Sequence, residues 1–244
     1  MGEKVSIGNN VFVYPMPVTL VGALVDGRVN FMTLGWISRV NGNPPYVCIG
    51  INKNHYTAKG ILENGGFSVN FPSAEMMEET DYCGIVSGRK EDKSKLFEVF
   101  YGKFENAPMI KECSLNLECG LVETLELPTH YLFVGEILEA YSEEQYLTDG
   151  RLDIEKMKPL LLTMPDNSYW TVGNYKGAAW NVGLRLKDKK GIKLQHSIGS
   201  RYDEMDISFD QEGKPHIHFT EEGIREQNRG KKGSKDINIK EEHW

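Results

Sequence analysis

The sequence predicts a mainly β protein with short helices, and three observations predict it. The run from Ser114 to Leu127 alternates with period two, putting Leu115, Leu117, Cys119 and Leu121 on one face and Asn116 and Glu118 on the other. The run from Val18 to Val25 is apolar and rich in β-branched residues, and Asp26-Gly27 follows it as a two-residue hairpin signal. Helical spacing is confined to short windows, such as the one through Ala58, Ile61 and Leu62 that stops at Gly65-Gly66.

Taken in order, Val29 to Val40 reads as the return strand of that first hairpin. Its small and hydroxylated members, Thr33, Gly35 and Ser38, let a ligand approach the backbone closely, although plain strand packing uses the same residues. Asn41-Gly42-Asn43-Pro44-Pro45 ends the strand, because proline cannot donate to a ladder. Tyr46 to Ile51 is the next strand. A helix then starts with Asn54 as N-cap, and Phe67 to Phe71 returns as a strand closed by Pro72. The N–H groups at a helix start make an anion site, to which Thr57 adds a hydroxyl; an ordinary capped helix contains the same residues.

Ser73 to Tyr82 is a short, acid-rich helix with part of a capping box. Ser87 to Lys93 is a polar loop carrying Arg89, Lys90 and Lys93; on its own it reads as a solvated surface loop. Ser94 to Phe100 is a helical turn, and Tyr101 to Glu112 is irregular. His130 to Tyr141 is the antiparallel partner of the Ser114 strand. Asp149-Gly150 is a turn, Asp153 to Lys158 a short helix and Leu160 to Thr163 a short strand. Asn167 to Gly183 is aromatic and glycine-rich, suited to core, a dimer interface or a lid over a ring.

The chain has 244 residues, 40% of them hydrophobic, enough for one large domain with an extension. A net charge of −7 argues against a nucleic-acid backbone as partner. No apolar run reaches the roughly 20 residues needed to span a bilayer, and the N-terminal Met1 to Asn10 lacks the apolar core of a signal peptide. The expected location is the cytoplasm, with no membrane partner. Cys48, Cys83, Cys113 and Cys119 form no CxxC pair, and no metal site is expected. Cys48 and Cys119 read as buried small residues in strands, and Cys83 as part of a polar connection beside Gly84.

Several pieces, in this order and spacing, resemble the flavin reductase-like family. They are NFMTLGWIS (30–38), NPP (43–45), HYT (55–57), FSVNF (67–71), SGRKEDK (87–93) and LPTHYLFVGE (127–136), and the likeness spans roughly residues 10–183. The resemblance implies an FMN-binding split β-barrel, commonly a homodimer with the flavin near its interface. It implies that Asn30 and Trp36 contact the flavin ring or ribityl chain, with Thr33 and Ser38 close by. Thr57 then binds the phosphate, Lys93 neutralises it (with Arg89 or Lys90 as substitutes), and His130 sits near the ring. The family's last contact is a late aromatic residue, for which Tyr169 is the choice.

The domains expected are residues 1–183 for the barrel and 184–244 for a polar, partly disordered extension. In the extension, Tyr202 to Phe209 and His216 to Phe219 suggest one hairpin and Gly230 to Lys240 suggests disorder. His216 and His218 share a side of that hairpin, and a solvent-facing pair is preferred to a metal pair. The function expected is electron transfer through FMN, as a carrier served by a redox partner protein or as a reductase served by NAD(P)H. No GxGxxG follows a strand, so no separate dinucleotide domain is expected. The resemblance to the family's carrier members favours the carrier. A flavin-binding or assembly module without catalysis is the reading from another class.

Overall fold

The structure, a computed structural model, describes residues 2–179, 182–184, 205–209 and 215–219. Residues Met1–Gly173 and Asn174–Trp244 form two compact units. The first begins with β1 (Met16–Pro17), β2 (Thr19–Val25) and β3 (Arg28–Leu34). The β2–β3 turn holds Asp26 and Gly27 at φ of 52° and 72°, the positive values a type I′ hairpin requires.

The single strand expected from Val29 to Val40 is divided. The chain breaks at Gly35-Trp36 and resumes as β4 (Ile37–Asn41), which pairs with β5 (Tyr46–Asn52) rather than with β2. The break lets one run of sequence serve both edges of the sheet. It is fixed by the Trp36 carbonyl, which accepts from the Gly50 N–H at 2.9 Å.

Next come α1 (Tyr56–Asn64), β6 (Gly66–Phe71) and α2 (Met77–Ile85), the last after a 3-10 turn at Ala74–Met76. The expected N-cap, Asn54, is displaced. Its N–H is taken by Asn52 Oδ1 at 3.0 Å, and His55 becomes the N-cap without a side-chain cap bond. Cys83 lies inside α2 and is buried, not in a polar connection. One turn before it, Thr80 is buried as well, because this side of α2 covers the second core.

A 3-10 turn (Lys93–Leu96) leads to β7 (Val99–Phe100) and β8 (Met109–Ile110), a small pair inside the region read as a turn and an irregular stretch. The long partners are β9 (Leu115–Glu126) and β10 (His130–Tyr141). The unit closes with β11 (Leu147–Thr148), β12 (Arg151–Leu152), α3 (Ile154–Met157), β13 (Leu160–Thr163) and β14 (Ser168–Thr171).

Seven antiparallel strands make the main sheet, in the order β3-β2-β6-β9-β10-β5-β4. Met32 and Leu34 from one edge strand share a core cluster with Val47, Ile49 and Ile51 from near the other edge. The sheet is therefore rolled around one core, yet β3 and β4 do not pair to close it. This is a split β-barrel. Ala58 and Ile61 of α1 join the same core. A second cluster, with Leu20, Phe31, Cys83, Ile110 and Cys113, packs α2 on the outer side of β2 and β3. These two strands are buried on both faces, which explains their continuous apolar sequence. Phe31, Phe67 and Phe133 are fully buried, each contributing about 1.5–3 kcal/mol of apolar transfer.

The polar face of β9 does not meet solvent in its first half. Asn116 Nδ2 donates to Asn70 Oδ1 at 2.8 Å and to the Ile110 carbonyl at 2.7 Å. Glu118 accepts from the Phe104 N–H at 2.5 Å and the Tyr141 hydroxyl at 3.1 Å. In the second unit, β15 (Met205–Phe209) and β16 (Pro215–Phe219) form an antiparallel hairpin. The side chains of His216 and His218, and the stretch 230–240, lie outside the described residues. No described helix is long and apolar enough to cross a membrane.

Candidate functional site

A cavity of about 190 Å³ opens where β3, the head of α1, the end of α2 and the loop at 87–90 meet. Among the described residues that line it, none is Asp or Glu. Lys93 lines it and is 3% exposed. The Lys93 ammonium donates to the carbonyls of Cys83 at 2.9 Å and Val86 at 3.0 Å, at the negative end of α2. Burial holds its pKa below the usual lysine value. Two carbonyls leave one N–H of three unassigned, and they do not neutralise the charge.

Thr57 faces the same cavity from the first turn of α1, where backbone N–H groups lack helical acceptors. Its hydroxyl accepts from Asn30 Nδ2 at 2.8 Å, so its own proton is available to another acceptor. Asn30 is 4% exposed, and its Oδ1 has no hydrogen-bond partner among the described residues. The backbone at Gly88 presses on that oxygen: a Cβ at Gly88 would lie 1.8 Å from it. Arg89 ties the same loop to α1, donating to the Asn54 carbonyl at 3.2 Å with its guanidinium 5.4 Å from the Tyr56 ring centre. Thr33 completes this wall, its hydroxyl donating to the Thr80 carbonyl.

The structure thus gathers Asn30, Thr33, Thr57 and Lys93 around one space. Trp36, Ser38, His130 and Tyr169 are outside its lining. Trp36 is 46% exposed and stacks on His130, with ring centres 4.8 Å apart and planes at 26°. Ser38 is exposed on β4 and donates to the Arg39 carbonyl at 3.1 Å. Tyr169 donates to Asp81 of α2 at 2.9 Å; burial, then this bond, pushes its pKa up to about 12.

Sequence reasoning did not single out His55, Ser87 or Gly88 in the cavity lining. The serine-glycine pair beside three cations was the available signal, since glycine marks a close backbone approach. Burial lowers the His55 pKa, followed by the charges of His130 and Lys93. His55 itself lines the cavity, from the residue just before α1. A buried ammonium, a helix start and a hydroxyl, without an acid, fit a phosphate-bearing group. Trp36, half exposed over the His130 ring, fits a planar ring.

The family model for the flavin reductase like domain matches residues 11–163, more than half of the chain. The chain belongs to this flavin-binding family. Its structure is similar to that of flavoredoxin from Methanosarcina acetivorans, with 68% identity and a TM-score of 0.75, covering 76% of this chain and 100% of that one. It is also similar to flavoredoxin of Desulfovibrio vulgaris (Miyazaki F), with 32% identity and a TM-score of 0.70, covering 74% and 100%. A curated relative from Archaeoglobus fulgidus, an uncharacterised protein, is 34% identical over 145 residues, 59% of this chain and 81% of that protein.

Proposed function

We propose that the chain binds FMN and works in the cytoplasm as an electron carrier, a homodimer that receives electrons from a protein partner. The observation that carries this is Lys93, an ammonium buried against two carbonyls in a cavity whose described lining contains no acid. Such a charge is costly unless an anion joins it. A terminal phosphate supplies that anion, and FMN ends in one. The likeness to a flavoredoxin at 68% identity, over the whole of that chain, supports the carrier over other flavin chemistry.

In this reading Lys93, Thr57 and the α1 N-terminus hold the phosphate. Asn30 orients Thr57, and the loop at 87–90 keeps water from the buried end. Trp36 and His130 offer an aromatic edge to the ring, with Thr33 and Ser38 flanking it on the β3–β4 run. Tyr169 sets the position of α2 through Asp81, and with it the carbonyls that hold Lys93. When bound, the flavin supplies the redox chemistry, and the protein supplies position and electrostatics. The barrel at 1–183 suffices for this role, with 184–244 as an extension beyond it. A reductase served by NAD(P)H is the second reading, favoured by the reductase likeness that defines the family.

The test is anaerobic. The protein is loaded with FMN, freed of excess, and mixed with NADH, NADPH and finally dithionite. Retained flavin that stays oxidised with both nucleotides and bleaches with dithionite is the expected result. Rapid bleaching by either nucleotide selects the reductase. Failure to retain flavin overturns the carrier.

A further inference from the structure

We propose that His55 is the proton-linked group of the cavity: it takes a proton from solvent as the phosphate of FMN enters and returns it on release. The inference rests on the flavin reading above and adds a residue and a proton count to it.

The placement of His55 carries the argument. It is in the cavity lining and is the N-cap of α1, yet its ring makes no cap bond. Its main chain is fixed on both sides: its N–H donates to the Asn52 carbonyl at 3.0 Å and its carbonyl accepts from Ala58 at 3.2 Å. The backbone is thus fixed at the helix start, while the exposed ring does not serve the helix.

Its charged surroundings are one-sided. Lys93, in the 3-10 turn after the loop, and His130, on β10, are the titratable groups acting on it. Arg89 reaches the carbonyl of the preceding residue, Asn54. Lys53, two residues back, is occupied by Glu126 at 2.6 Å. A second fixed cation beside the buried Lys93 ammonium would repel it, and a neutral imidazole avoids that cost. A phosphate monoester, with its second pKa near about 6, is largely dianionic at neutral pH. One ammonium leaves such a dianion half balanced, and a proton on His55 completes the balance.

The sign follows from this arrangement. Without ligand, partial desolvation, followed by the influence of His130 and Lys93, keeps His55 below the ordinary imidazole pKa, although its ring remains open to solvent. A dianion alongside raises it, so the complex holds more protons than the free protein. Affinity for FMN therefore rises as pH falls through the neutral range, by at most about tenfold per pH unit for one proton.

Titration calorimetry in phosphate-free buffers of different ionisation heat, near pH 7.5, measures the proton count directly. FMN is expected to bind with net uptake of a fraction of a proton and riboflavin with none. His55→Gln is expected to bind FMN without the uptake, with a flatter pH dependence and unchanged riboflavin affinity. FMN keeps its own phosphate in both proteins, so the difference between them isolates the imidazole. Equal uptake by the wild type and His55→Gln, or no uptake by the wild type, overturns the inference while the flavin reading stands. If His55→Gln does not fold, His55→Asn replaces it, and absence of uptake by the wild type with FMN overturns the inference on its own. No binding of FMN at any pH overturns both.

Discussion

Lys93 makes a prediction that separates ligand binding from folding. Lys93→Met removes a buried charge and keeps the length of the side chain, so the ligand-free protein should melt no lower than the wild type. FMN affinity should fall by about 10- to 100-fold, the worth of one charge-assisted contact. Riboflavin, lacking the phosphate, should bind both proteins alike, and fluorescence titration with the two flavins checks this. Gly88→Ala tests the other side of the cavity, because its Cβ would lie 1.8 Å from Asn30 Oδ1. Either the loop or the Asn30 side chain, which donates to Thr57, must shift, and the variant should elute from gel filtration without FMN. Thr57 and Lys93 were singled out through the resemblance, because by residue type alone a hydroxyl after a helix start and a cation in a polar loop read equally as an ordinary cap and a solvated loop. The unpartnered Asn30 oxygen was not, since it arises only when Gly88, far along the chain, comes to rest on it. His55 was missed for a similar reason: local pattern gave the cap to Asn54, which the Asn52 side chain had already engaged.

Among the elements, α1 depends on how closely it approaches β2. A Cβ at Gly60 would lie 2.1 Å from the Leu24 carbonyl oxygen. Gly60→Ala gains about 1 kcal/mol of helix propensity. It loses more to the clash, with a net cost of roughly 1–3 kcal/mol and a fall in Tm of several degrees by calorimetry. Tyr169 joins β14 to α2, and its phenol is held protonated up to about 12. The sign is that of a raised pKa: the unfolded chain ionises first, near about 10, so this stabilisation is intact below that pH and is lost as pH rises through about 12. Denaturation of Tyr169→Phe across that alkaline range should show a smaller loss than the wild type. Most strands were legible, because β9 and β10 alternate cleanly and the β2–β3 hairpin carries its turn residues. The division of the run from Val29 to Val40 was not, because β-propensity continues through Trp36 while the hydrogen bonds change partner.

In the molecule as a whole, one stretch of chain organises both the barrel and the cavity. From Asn30 to Phe71 it supplies both sheet edges, the helix at the cavity and a central strand. The sheet closes its core without closing its hydrogen bonds, and the rolled sheet brings residues distant in sequence, such as Met32 and Phe133, into the same core. Mainly β architecture followed from periodicity and turn chemistry, whereas the roll itself required contacts between the two ends of the sheet. FMN in excess should raise the melting temperature of the protein, more so than riboflavin, because only the phosphate engages Lys93.

The buried Lys93 has a consequence for the protein's lifetime in a cell. A chain that holds an ammonium against two carbonyls is least secure before its ligand arrives. The newly made, ligand-free protein should then be the form that opens most often to proteases. If FMN is that ligand, vitamin supply should bear on abundance: cells starved of riboflavin should clear this chain faster than cells fed with it, at equal rates of synthesis.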